Sequence, residues 1–168
     1  MRTLILCGAI VALLSGCASY QLGTPSPLPY ETIAVAPPLN KTTLPQIEGP
    51  LNAALRQSLQ RSSSVKLSTG SAADGILSLT LLEVKRSIAA VTSDDVGRGR
   101  KFQLEIQVEL SVSNENDPSA PYLPSRVFAI SQDIFTDDGQ VEAEYQAIPE
   151  ISRKIAEKTT ELVTELWQ

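Results

Sequence analysis

Between positions 101 and 113 apolar and polar residues alternate without interruption. Phe102, Leu104, Ile106, Val108, Leu110 and Val112 stand against Gln103, Glu105, Gln107, Glu109 and Ser111. A period of two places each set on one face of a pleated strand, so the segment predicts a strand with one face in a core and the other in water. Residues 125–136 carry Phe128, Ile130 and Ile134 on one parity and predict its hairpin partner, across a turn containing Pro118, Pro121 and Pro124. A third long strand is predicted over 76–91. Its Leu77, Leu79 and Leu81 share one face but Leu82 and Val84 share the other. The buried phase therefore switches near Leu81 and Leu82, which predicts either a bulge or a segment covered on both faces. Two short strands are expected over 31–36, where Pro37-Pro38 ends the run, and over 65–67.

Elsewhere the apolar period lengthens to three or four. Ile47, Leu51, Ala54, Leu55 and Leu59 mark one helix, regular from Pro50 to about Arg61, because proline is tolerated only in a first turn. Thr43 and Gln46 ahead of it have the spacing of a capping box. Ile148, Ile151, Ile155, Thr159, Leu162 and Leu166 form the stripe of a final helix, with Pro149 in or just before its first regular turn. Glu150, Lys154, Glu157, Lys158, Glu161 and Glu165 cover its other faces, and Trp167 reads as a helix-end packing residue. Two amphipathic helices need a sheet face to bury against. The pattern predicts an α+β two-layer sandwich, with two helices on one face of a mixed, mainly antiparallel four-stranded sheet. The opposite face, with Glu105, Gln107 and Glu109, stays wet or meets another protein.

The first residues follow another logic. A positive Met1-Arg2-Thr3 precedes an apolar run over 4–14 and then Ser15-Gly16, the order of a secretory signal. Eleven helical residues span about 16 Å, short of the roughly 20 residues that cross a bilayer. Leu14-Ser15-Gly16-Cys17 resembles the bacterial lipobox, which implies cleavage before Cys17 and acylation of that cysteine; the alternative is an ordinary signal cut near Ala18. Several acyl chains anchor a protein stably, at about 0.8 kcal/mol per buried methylene. Ala18 and Ser19 stand where an aspartate would resemble an inner-membrane retention signal, so the periplasmic face of the outer membrane is expected. The organisation read from the sequence is a signal peptide over 1–16, an acylated cysteine and Pro-rich tether over 17–30, and a single α+β domain over 31–168. Tyr20 and Tyr30 bracket the tether and either dock it on a partner or serve ordinary packing.

Composition removes whole classes of function. Of 168 residues 14 are basic and 19 acidic; loss of Arg2 leaves 13 against 19, a net charge of −6. Nucleic acid, which needs a basic surface, is not an expected partner. There is no histidine, and with Cys7 lost to the signal and Cys17 to lipid no thiol remains. Disulfides, the usual zinc sites and histidine-based nucleophilic catalysis are thereby excluded. Asp94-Asp95 and Asp137-Asp138, beside Gly97 and Gly139, read as turns rather than as a catalytic dyad. No enzyme, cofactor or metal site is expected.

Several segments, in order, carry a resemblance to a known family. They are Cys17-Ala18-Ser19-Tyr20-Gln21-Leu22, Thr32-Ile33-Ala34-Val35 leading to Asn40-Lys41-Thr42, and the helix from Pro50 to Leu59. Ala73-Asp74-Gly75-Ile76-Leu77, Arg100-Lys101-Phe102-Gln103-Leu104 and a final helix opening near Glu144-Tyr145-Gln146-Ala147 complete the set. Together they resemble the LptE lipopolysaccharide-assembly lipoproteins, the plug subunits of the outer-membrane lipopolysaccharide translocon. The resemblance implies two helices on a mixed sheet, a lipid anchor in the outer membrane, and a β-barrel translocon subunit as partner. It further implies a non-enzymatic role in folding and plugging the barrel and in placing lipopolysaccharide at the cell surface.

An anionic amphiphile calls for a local cationic patch, and charges act within about 8 Å at physiological salt. Arg98, Arg100 and Lys101 are the one tight basic cluster after the signal, and Arg98 or Arg100 is nearest to the basic loop residue that the resemblance implies binds lipopolysaccharide. A second basic position, before the last helix, is unmatched: Asp137, Asp138, Glu142 and Glu144 make that stretch acidic. A solvated turn is the competing reading of the arginines. The competing function is a periplasmic lipoprotein acting as a regulatory or pore-building module, of the cell-wall-synthase activator or secretion-pore type.

Overall fold

The computed structural model describes residues 28–62, 64–69, 72–90, 101–135 and 140–164. In chain order the elements are β1 (Thr32–Val35), β2 (Leu39–Asn40), α1 (Glu48–Arg61), β3 (Lys66–Leu67), β4 (Gly75–Ala90), β5 (Lys101–Asn114), β6 (Leu123–Phe135) and α2 (Gln140–Thr164). The strands form one sheet in the order β3-β1-β4-β5-β6, with β2 also beside β4. Both helices lie on one face of it and share its core.

The α+β two-layer arrangement is thus present, but two details of the expected sheet are corrected. There are six strands rather than four. Three pairings, β1–β3, β1–β4 and β2–β4, are parallel, and only β4–β5 and β5–β6 are antiparallel. The crossover explains the parallel part. The chain leaves β2, returns through α1 and begins β3 and β4 from the end where β1 began, so these strands must run alongside β1. One of the additional strands, β2, is hidden behind Pro37-Pro38. Two residues without a backbone N–H interrupt the ladder, and pairing resumes at Leu39↔Thr80.

The phase switch in β4 is a bulge. Leu81 pairs with Val108 and Glu83 with Gln107, so Leu82 is the extra residue. It brings Val84, Arg86 and Ile88 onto the helix side shared by Leu77, Leu79 and Leu81. In β5 the expected face is buried from Leu104 to Val112. Leu51, Leu55 and Leu59 of α1 and Ile148, Ile151 and Ile155 of α2 cover it, each such side chain contributing roughly 1.5–3 kcal/mol. Val163, rather than the partly buried Leu162, closes the α2 stripe. Leu166 and Trp167 lie outside the described residues.

The capping box is not formed. The cap position of α1 is Ile47, without a side-chain hydrogen bond, after a turn in which Gln46 takes a left-handed φ of 51°. Asn40 organises that approach instead: its Nδ2 donates to the Leu44 carbonyl, and its Oδ1 accepts from the N–H and hydroxyl of Thr42. Pro50 is the third residue of α1, where its missing N–H costs little.

At the end where the tether enters, two polar clasps fasten the chain. The Asp74 carboxylate accepts from Glu31 N–H (3.0 Å), Thr32 N–H (2.9 Å) and the Thr32 hydroxyl (2.8 Å), which holds its pKa below the usual carboxylate range. Gly75 follows because a Cβ there would stand 2.9 Å from the Ser113 carbonyl oxygen. Tyr30, placed by sequence in the tether, belongs to the core. It is 4% exposed and lies 5.2 Å from Tyr122 between ring centroids, and its hydroxyl donates to the Val163 carbonyl at 2.9 Å. Burial pushes the phenol up to about 12. Replacing Tyr30 by Phe removes that bond and is expected to lower stability by about 1 kcal/mol, read as a shift in urea midpoint with unchanged slope.

Candidate functional site

Of the candidate site residues read from the sequence, Lys101 is the one among the described residues, at the end of the sheet opposite Tyr30. Cys17, Arg98 and Arg100 lie outside the described residues, as do Tyr20, Asp94, Asp95, Asp137 and Asp138. Lys101 opens β5, and its Nζ stands 2.7 Å from Asp133 Oδ2 on β6, both side chains partly exposed. A surface pair of this kind is worth about 0–1 kcal/mol, and it sets a carboxylate against the Lys101 ammonium. Chain continuity puts Arg100 directly before it. β5 spans 14 residues, about 45 Å of extended chain. Lys101 therefore stands a full strand length from the tether clasps.

On the helix-facing side of the same end is an arrangement that sequence reasoning missed. Arg86 Nε donates to Glu144 Oε1 at 2.7 Å and its Nη2 to Oε2 at 2.8 Å, a bidentate pair joining β4 to α2. The same Nη2 reaches Thr43 Oγ1 at 2.8 Å, and Gln140 Nε2 donates to Glu144. The side chains are 29% and 7% exposed. Hydrogen bonding to Arg86 comes first in holding the Glu144 carboxyl below its ordinary pKa, against the opposing effect of burial. The expectation of an acidic loop before the last helix is corrected here. α2 already begins at Gln140, so Glu142 and Glu144 are helical. Pairing with Arg86 turns Glu144 inward, and Glu142 suits the positive end of the helix dipole. Pro149 accordingly falls inside α2 rather than at its start. The pair was traceable in principle. Once the bulge is allowed for, Arg86 shares the parity of Val84, and Glu144 sits four residues before Ile148 on the apolar stripe.

The same end of the domain also carries exposed apolar side chains. Of the large hydrophobic residues exposed among the described residues, Ile88, Phe135, Val141 and Tyr145 all belong to this end. Val141 and Tyr145 continue the stripe of α2 past the place where the core stops. Among the described residues no group of three acidic, cysteine or histidine side chains could hold a metal ion. The outer sheet face carries Gln103, Glu105, Gln107, Glu109 and Ser111, with Glu109 accepting from Ser125.

The architecture is a βαβ crossover followed by a long three-stranded meander and a closing helix. The family profile described as LptE, lipopolysaccharide-assembly, matches residues 30–160. The chain belongs to that family, whose members are non-enzymatic envelope lipoproteins associated with lipopolysaccharide transport. Comparison with curated proteins finds no significant match.

Among solved structures, a neuraminyllactose-binding hemagglutinin homolog from Helicobacter pylori is similar at 13% identity. It covers 86% of this chain and 91% of its own, with a TM-score of 0.54. A protein from Xanthomonas campestris is similar at 7% identity over 84% and 87%, TM-score 0.54. A hypothetical protein from Chlamydia trachomatis is similar at 12% over 79% and 97%, TM-score 0.51. At such identities these show the fold alone.

Arg86→Ala is expected to cost roughly 2–3 kcal/mol, below a fully buried pair because the guanidinium keeps a wet flank. The acid arm has a definite sign. A carboxyl whose folded pKa is depressed stabilises fully above its unfolded pKa, and that contribution is lost as pH falls through the folded one. The urea midpoint of the parent should therefore fall more steeply below about pH 4 than that of Glu144→Gln.

Proposed function

We propose that this protein is an outer-membrane lipoprotein, acylated at Cys17, that plugs and helps assemble the β-barrel lipopolysaccharide translocon and assists insertion of lipopolysaccharide at the cell surface. Family membership over residues 30–160 carries the reading. Two structural features support it. On the uncovered sheet face β5 presents a row of Gln, Glu and Ser side chains, compatible with the polar interior wall of a large barrel. The clasped tether end and the Lys101 end are opposite poles, so a lipid anchor at one pole leaves the other about 45 Å into a lumen.

In this reading Arg98 and Arg100, with Lys101, meet the phosphates of lipopolysaccharide, and the apolar surroundings of Ile88 and Tyr145 tolerate an amphiphile. The acylated cysteine holds the domain where the barrel is built. The protein supplies shape and charge and breaks no bond.

Tagged protein extracted in mild detergent is expected to retain a large β-barrel subunit in one-to-one ratio; a cell-wall synthase, or a ring of copies of this chain, in its place overturns the reading. Arg98→Glu combined with Arg100→Glu is expected to weaken lipopolysaccharide binding in a pull-down and leave barrel retention intact. Unchanged lipopolysaccharide binding removes the arginines from the mechanism.

A further inference from the structure

Among the described residues no strand pairs with the outer edge of β6. Its backbone orientation follows from the ladder. Ala36 N–H donates to the Leu77 carbonyl and Lys41 N–H to that of Leu81, so odd residues in the first half of β4 face β1 and β2. Even residues then face β5, with Ser78 opposite Ser111 and Thr80 opposite Glu109. Odd residues of β5 are thus bonded to β4, and even ones to β6. The register Ile106↔Ile130 and Val108↔Phe128 carries the alternation into β6. Val127, Ala129, Ser131 and Asp133 consequently aim their N–H and C=O groups away from the sheet. Lys154 Nζ agrees, reaching the outward Ser131 carbonyl at 3.0 Å.

Protein edges of this length are ordinarily blunted by proline, a bulge or a covering element. Here no proline or register shift interrupts the stretch from Arg126 to Phe135. Beside it a groove of about 370 Å³ is lined by Ala129, Ile130, Ser131, Lys154, Glu157, Lys158 and Glu161. Within that groove Lys158 is paired with Glu161, and Glu157 with Arg153. Lys154 makes no direct ion pair among the described residues: it feels Glu150 one helical turn earlier only at longer range and rests on a carbonyl.

We propose that this edge is a strand-addition site for an extended segment of the barrel partner that places a carboxylate opposite Lys154. Alternating outward donors and acceptors match another extended backbone, and the Lys154 ammonium selects the charge. A closed barrel wall has no free ladder to offer, so the segment is a loop or terminal arm of the partner. A second copy of this chain fits less well. A two-fold axis at Ser131 would match the exposed Val127 of one copy to Phe135 of the other, but it sets Lys154 against its own copy, like charge on like. The proposal rests on the reading that the partner is a barrel subunit.

The test uses the full-length lipidated protein in its own membrane. Photo-crosslinking side chains at Ala129 and Ser131, with the exposed Ser119 in the turn at the tether pole as control, are expected to capture the barrel subunit at the edge positions. Ala129→Pro with Ser131→Pro removes two outward donors without touching the bonds to β5. It is expected to retain barrel on the order of tenfold less at an unchanged circular dichroism spectrum. Barrel retained undiminished by the double variant, with no edge crosslinks, overturns this proposal and leaves the plug reading standing; crosslinks to a second copy also overturn it. A parent protein that retains no barrel sinks the plug reading itself.

Discussion

Burial of one face of β5 is the constraint from which the rest of the domain follows. The strand lies between β4 and β6, and its side chains from Leu104 to Val112 are withdrawn from water on one side only. That side must be roofed, and α1 and α2 are the two elements with apolar stripes to roof it. The bulge at Leu82 is a consequence. β4 runs alongside β5 for its whole length, and without one extra residue its second half would turn Val84 and Ile88 to solvent and its polar residues to the core. The same constraint leaves the reverse face polar and uncovered.

The two poles of the sheet are closed by different chemistry. At the tether pole, short polar clasps from Asp74 and Tyr30 tie the first described residues to β4 and to the last turns of α2. At the opposite pole the apolar core thins out, and a bidentate ion pair, Arg86 with Glu144, holds β4, the approach to α1 and the start of α2 together. An ion pair is more demanding than apolar packing, because losing either partner strands the other charge. Its placement next to exposed apolar side chains gives that pole a mixed polar and apolar character suited to an amphiphile.

Much of this was legible in the chain. Strict alternation over 102–112 left one reading, and the parity change at Leu82 located the bulge. Helical spacing identified both helices, although Val163 replaced Leu162 on the inner face and α2 began four residues earlier than the stripe suggested. The candidate site was less legible. Lys101 appeared as part of a free basic cluster, but its ion-pair partner is Asp133, diagonal to it on the next strand and thirty-two positions away, and no local pattern announces that pairing. Glu144 appeared as one of several solvated acids. Only the approach of Arg86, 58 residues earlier, makes it a buried one.

What the sequence determined by itself is what depends on neighbours a few residues apart: strands and helices from their apolar periods, and, from composition, the absence of histidine chemistry. The tertiary structure decided what depends on which distant residues meet. It set parallel pairing for β1 and β2, because a crossover through α1 returns the chain to the same end of the sheet. It turned Arg86 and Glu144 inward, and among the described residues it set no strand beside the outer edge of β6. A strand carries the same alternation whether it lies at the centre or the edge of a sheet, so its position emerges only when the sheet is assembled.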